Sequence, residues 1–120
     1  MERKENYSFA AQGITYSEKY SDADYEFRHV QLTYEAWTKL PQAYRDFYNK
    51  LNRKQGSTTG TEHKYLEEMQ LLSEEEVHKA GVQQSLGWQH YLVFNPEPHV
   101  LLFRRPHNTN PNTGRQNTLF

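Results

Sequence analysis

The 120-residue chain has no cysteine, so neither a disulfide framework nor a thiolate metal site can hold it together, which fits a reducing compartment. No apolar run approaches the roughly 20 residues that span a bilayer. The opening MERKENYSFAAQG is charged where a secretory leader would be apolar. A formal net charge of -1 excludes the global field that gathers nucleic acid or coats an anionic membrane. Any anion recognition must therefore be local, and the expectation is a soluble protein of cytoplasm and nucleus with neither nucleic acid nor membrane as partner. Mean hydropathy is low at -1.05, yet 14% aromatic residues argue against wholesale disorder. One domain with a small core rich in Tyr, Phe and Trp is predicted.

Residues 1–13 are mostly polar and residues 107–120 (HNTNPNTGRQNTLF) are rich in turn formers, so two flexible tails that add little to the core are expected around a domain at 14–106. Within it, ITYSEKY and YEFRHVQL flank the turn-like SDAD and predict a hairpin. In the second run Tyr25, Phe27 and His29 share one face while Glu26 and Arg28 point the other way. Thr33 can cap a short helix that Pro41 interrupts. Tyr44, Phe47, Tyr48 and Leu51 recur at helical spacing, followed by QGSTTGTE and HKYLEEMQ. Ser73 with Glu76 forms a capping box, and Gly81 supplies a helix stop. Last come two strand-like runs, WQHYLVF and HVLLFR, divided by Pro96 and Pro98 rather than by Asn-Gly. Two residues with locked φ predict a stiff connection that favours extended chain. The fold class expected is α+β, a four-stranded antiparallel β-sheet with short helices on one face, plus an inserted helical segment.

Lys19, Arg28, Arg104 and Arg105 lie on three predicted strands, and QQSLGW adds the Ser85 hydroxyl and the Trp88 indole N–H. Guanidinium forks, a lysine point charge and neutral donors suit a tetrahedral phosphate. Each cation alone reads as a solvated surface charge, and strand parity alone does not bring them together. The six histidines form no HExxH or close His/carboxylate arrangement, and structural or surface roles are expected for them, with no metal and no cofactor. Glu74, Glu75 and Glu76 read as first-turn helix acids. No GxSxG, phosphate loop or cysteine nucleophile is present, so no catalytic constellation stands out. The rival readings are a phosphate-ester enzyme using Arg28, Arg105 and a histidine, and a nucleic-acid module built on the basic NKLNRK.

The blocks YSEKY, YEFRHVQL, GVQQSLGWQHY and PEPHVLLFRRP, in this order, closely resemble the Cks/Suc family of cyclin-dependent kinase regulatory subunits. The resemblance covers 14–40 and 71–106. It implies a noncatalytic adaptor that binds a cyclin-dependent kinase with its cyclin, and that docks phosphothreonine-containing proteins for multisite phosphorylation in cell-cycle control. By position it implies a phosphate pocket of Lys19, Arg28, Ser85, Trp88 and Arg105. It implies a kinase face of Tyr20, Leu92, Val93, Phe94, Asn95 and Glu97. It further implies that Pro96 and Pro98 form a hinge through which the last strand can be exchanged in a homodimer. This sequence departs from the family pattern at 42–70, which have no counterpart, and at Val77 and Ala80, where the family usually has tryptophan and leucine. The inserted Tyr44, Phe47 and Leu51 are expected to fill the space so released. Glu75, Lys79 and Leu86 match poorly the surface that serves a ubiquitin-ligase receptor in animal members, and that partner is not expected.

Overall fold

A computed structural model describes residues 7–53 and 70–116. Strands β1 (Thr15–Tyr16), β2 (Tyr20–Ser21), β3 (Tyr25–Gln31), β4 (Gln89–Val93) and β5 (Val100–Pro106) form one antiparallel sheet. Its order is β1-β3-β5-β4, with β2 pairing farther along the same edge of β3. The first expected strand is therefore broken in two: Ser17 turns its hydroxyl onto the His29 N–H at 2.9 Å while its own N–H bonds the His29 carbonyl. That side-chain bond competes with regular pairing. Asp22 closes the SDAD turn by accepting the N–H groups of Asp24 and Tyr25, both at 2.9 Å. These two bonds hold its carboxyl below the ordinary range.

Among the described residues, helices α1 (Tyr34–Thr38), α2 (Gln42–Arg53) and α3 (Glu74–Lys79) supply the second layer. Their ends lie where local chemistry puts them. Thr33 Oγ1 accepts the Ala36 N–H, Pro41 separates α1 from α2, and Ser73 and Glu76 complete both bonds of a capping box. Gly81 follows α3 at φ +111°, a conformation that other residues adopt only with strain. The core joins Val30, Leu101 and Phe103 of the sheet to Trp37, Tyr44, Tyr48 and Val77 of the helices. As expected of the insertion, Tyr44 and Tyr48 are buried and Phe47 and Leu51 pack against that core. The segments QGSTTGTE and HKYLEEMQ lie outside the described residues apart from Gln70.

Two expectations are corrected. The amino-terminal segment does contribute to the core. Tyr7 and Phe9 pack against it with edge-on contacts to Trp37 and Tyr34 respectively, and Thr109 is buried. A polar average concealed two aromatic rings, each able to bury a large apolar area. The proline-bracketed connection is not extended either. Glu97 N–H bonds the Phe94 carbonyl and Val100 N–H bonds the Glu97 carbonyl, giving two successive turns that fold β5 back beside β4. Pro98 occupies the second position of the latter turn, where its fixed φ is an advantage.

Candidate functional site

Register decides what strand parity could not. In the β3–β5 pair, Glu26 lies opposite Arg105 and Arg28 opposite Phe103, so Glu26, Arg28 and Val30 share the helix-side face with Leu101, Phe103 and Arg105. Helices cover the Val30–Leu101 end, and the other end carries the cations. There the Trp88 ring, buried to 1% exposure, lies 5.5 Å from the Arg28 guanidinium carbon and 4.3 Å from that of Arg105. Arg28 is flanked on another side by Tyr16 at 5.6 Å, and its Nη2 reaches the Ser17 carbonyl at 3.4 Å. Arg105 is also buried. Its Nη1 donates to Ser85 Oγ at 2.9 Å and its Nε to Glu26 Oε2 at 3.3 Å. These two bonds fix the guanidinium in place. The buried Nε of Arg28 and Nε1 of Trp88 have no hydrogen-bond partner among the described residues.

Arg28, Ser85, Trp88 and Arg105 are thus brought together. Lys19 is exposed on the β1–β2 connection, and no hydrogen bond or ion pair ties it to the cluster. Three residues that support the site were not assigned to it from the sequence. Tyr16 underlies Arg28 and also accepts the Gln83 N–H on its hydroxyl at 2.8 Å, Glu26 holds Arg105, and Glu74 accepts the Gly87 N–H at 2.9 Å. Tyr16 and Glu74 fasten the loop that carries Ser85, across separations that leave no local trace. Glu26 could have been suspected, since it shares the Arg28 face.

The opposite sheet face is aromatic and open. Tyr20 stacks on Phe27 at 5.6 Å, Phe27 meets Tyr91 at 5.8 Å, and Arg104 lies over Tyr25 and Tyr91 at 4.4 and 5.1 Å. A bulge between His90 and Leu92 sends both Tyr91 and Leu92 to this side. Tyr20, Leu92 and Phe94 are 52%, 40% and 50% exposed. Val93 is different: it is buried in the core and cannot present its side chain on that face. Asn95 and Glu97 are half-buried in the turns, with Pro96 exposed and Pro98 buried. Tyr25, Phe27 and Tyr91 extend the face beyond the expected kinase-face residues, the alternation of β3 carrying the signal for the first two, and Arg104, grouped by sequence with the candidate phosphate cations, lies on this face instead.

His90 and His99 are core residues. Burial lowers the His90 pKa to about 4 and lowers that of His99 as well. His90 Nδ1 accepts the Leu72 N–H at 3.0 Å, and His99 Nε2 lies 2.8 Å from the Ser8 carbonyl. Among the described residues no group of His, Asp and Glu has the spacing of a metal site, and no helix is long and apolar enough to cross a membrane.

Residues 14–107 match the family described as Cyclin-dependent kinase regulatory subunit. The chain belongs to that family. It is 41% identical over 93 residues to Cyclin-dependent kinases regulatory subunit 2 of Xenopus laevis, covering 78% of this chain and 85% of the relative. A Dictyostelium discoideum regulatory subunit is 41% identical over 97 residues, 81% of this chain and 87% of the relative. For the Saccharomyces cerevisiae subunit the identity is 41% over 95 residues, 79% of this chain but 52% of the longer yeast protein. The family match takes in both the cation cluster and the aromatic face, and stops before the segment from Asn108 onward.

Proposed function

We propose that this protein is a noncatalytic adaptor with two opposed surfaces. The aromatic sheet face and the Asn95–Pro98 connection bind a cyclin-dependent kinase with its cyclin, and the Arg28–Arg105 cluster captures phosphothreonine on a substrate already modified. Family membership supports the kinase as partner. The reading of the cluster rests on the two unpaired buried donors, Trp88 Nε1 and Arg28 Nε, set beside two guanidiniums. A buried donor left unmet costs about 1–3 kcal/mol, so the ligand that suits the site is one with several acceptor oxygens and negative charge. A phosphothreonine brings three such oxygens and a charge of about -1.5 to -2. Arg105 is held by Ser85 and Glu26 before the ligand arrives, and such preorganisation saves ordering entropy on binding. Lys19 would join through its flexible stem.

The consequence for phosphorylation is effective concentration. A substrate held at one surface while the kinase is held at the other meets the active site repeatedly, and linked contacts of this kind raise avidity by about 10² to 10⁴ without altering the chemistry. Calorimetry with a phosphothreonine peptide and its unphosphorylated twin tests the cluster. Arg28→Ala or Arg105→Ala should weaken the phosphopeptide about tenfold to a hundredfold, equivalent to roughly 1.5–3 kcal/mol for a charge-assisted bond. Equal binding of the two peptides by the wild-type protein would remove phosphothreonine from the proposal.

A further inference from the structure

Helix α2 lies in the segment that the family resemblance leaves without a counterpart, and it grips the β4–β5 connection at two points. Asn52 Nδ2 donates to the Asn95 carbonyl at 2.8 Å, and the Tyr44 hydroxyl donates to the Pro98 carbonyl at 2.8 Å. Glu97 sits between those carbonyls. Positions 44, 48 and 52 form one row of the helix at four-residue spacing. The middle member, Tyr48, is fully buried with its ring 4.8 Å from that of Tyr44, so the row is fixed to the core. The amino-terminal segment reinforces it. Tyr7 donates to Asn49 at 2.7 Å, accepts from Asn52 at 3.2 Å, and stacks on His99 at 5.5 Å.

Pro96 and Pro98 have no N–H to offer, and the connection is fastened from outside at the Asn95, Pro98 and His99 carbonyls and by the His99 imidazole against the Ser8 carbonyl. Its own bonds are the two turn bonds of Glu97 and Val100. Straightening the turns would displace the Asn95 and Pro98 carbonyls relative to each other, and a helix anchored by Tyr48 could not follow both. Burial keeps the Tyr44 phenol well above its ordinary pKa, so it remains a donor.

We propose that α2 is a clamp on the β4–β5 connection, in which Tyr44 and Asn52 are positioning residues that fix the presentation of Glu97 and hold the folded-back turns in place. The part concerning Glu97 rests on the kinase-binding reading above. The clamp needs no ligand and acts in the free protein.

Tyr44→Phe, which keeps the buried ring, and Asn52→Ala, at a half-buried position, test it singly and together. Amide hydrogen exchange at Glu97 and Val100 should quicken by about three- to tenfold in each, the fold equivalent of one net hydrogen bond. Exchange in the middle of β3 should stay unchanged. Affinity for a cyclin-dependent kinase–cyclin complex should fall several-fold, and phosphothreonine-peptide affinity should hold. Unchanged exchange at Glu97 and Val100 in the double variant would overturn the clamp, as would exchange quickened equally throughout the sheet. Glu97→Gln is the control for the underlying reading: if it leaves kinase affinity intact, Glu97 is no anchor, and the exchange rates alone decide on the clamp.

Discussion

At position 88 one side chain serves two purposes: the indole ring is packed against two guanidiniums, while its N–H lacks an acceptor among the described residues. Cation–π contact stabilises such clusters by about 0.5–2 kcal/mol, which helps two like charges to coexist. Tyr16 works from below, linking Arg28 to the loop through Gln83. Tyr16→Phe should keep the ring and lose the bond, weakening phosphothreonine-peptide binding about two- to tenfold with little effect on thermal stability; calorimetry and a melting curve measure both. His90 makes a different residue-scale statement. Its folded pKa of about 4 lies below the usual 6.5, so between these values the unfolded chain binds a proton that the folded one refuses. Its contribution is fully present above pH 6.5 and is lost as pH falls toward about 4, amounting to about 3 kcal/mol. Depression of the His99 pKa acts in the same direction. Urea midpoints should fall from pH 7 to pH 4.5, and His90→Gln, though less stable at pH 7, should show a shallower decline.

Among the elements, the carboxyl-terminal segment departs most from expectation. Thr109 pairs with Gln116 in an isolated bridge, the Asn110 N–H donates to the Arg115 carbonyl, and the Leu86 N–H bonds the Pro111 carbonyl. This hairpin therefore buttresses the loop that carries Ser85 and Trp88. The fit is close enough that a Cβ on Gly87 would lie 2.5 Å from Thr109 Cγ2, at a backbone φ of +98°, so no other residue fits without displacement. Ending the chain at His107 should loosen residues 84–87 and lower phosphothreonine-peptide affinity several-fold while sparing kinase binding. Calorimetry and a kinase pulldown on the truncated protein read out the two effects. Helix α2 is the other addition, and its core role can be separated from its grip on the connection. Tyr48→Ala should cost about 3–5 kcal/mol in urea unfolding, the range for truncating a large buried side chain.

In the molecule as a whole, one sheet separates two chemistries. Its helix-side face ends in cations, and its other face exposes Tyr20, Leu92 and Phe94. Distant sites with no shared partners respond additively to mutation. Arg28→Ala should therefore spare kinase binding, Glu97→Gln should spare the phosphothreonine peptide, and the double variant should combine the two losses. A kinase assay on a substrate with several sites should then show single phosphorylations retained and later ones lost in each variant. Full multisite phosphorylation by the double variant would reject the adaptor mechanism. The folded-back turns also make the single-chain form complete, since β5 already pairs with β3 and β4 of its own chain.

Short-range chemistry was readable in the sequence because its causes lie within a few residues. Thr33, the Ser73–Glu76 pair and Gly81 end helices through bonds to their own neighbours, and the Tyr44–Leu51 spacing marks a stripe that any helix there must bury. The family blocks also carried Arg28, Ser85, Trp88 and Arg105 as a set. What required the tertiary structure were contacts whose partners lie far apart in the chain: Tyr16 with Gln83, Glu26 with Arg105, Tyr7 with Asn49. The bulge at Tyr91 belongs to the same class, because a single extra residue in the β4–β5 ladder exposes Leu92 and turns Val93 inward. So do the turns of the proline connection. A proline's locked φ suits both extended chain and the second position of a turn, and the turn observed here is held by partners distant in the chain, with α2 bonding the Asn95 and Pro98 carbonyls and β5 paired with β4.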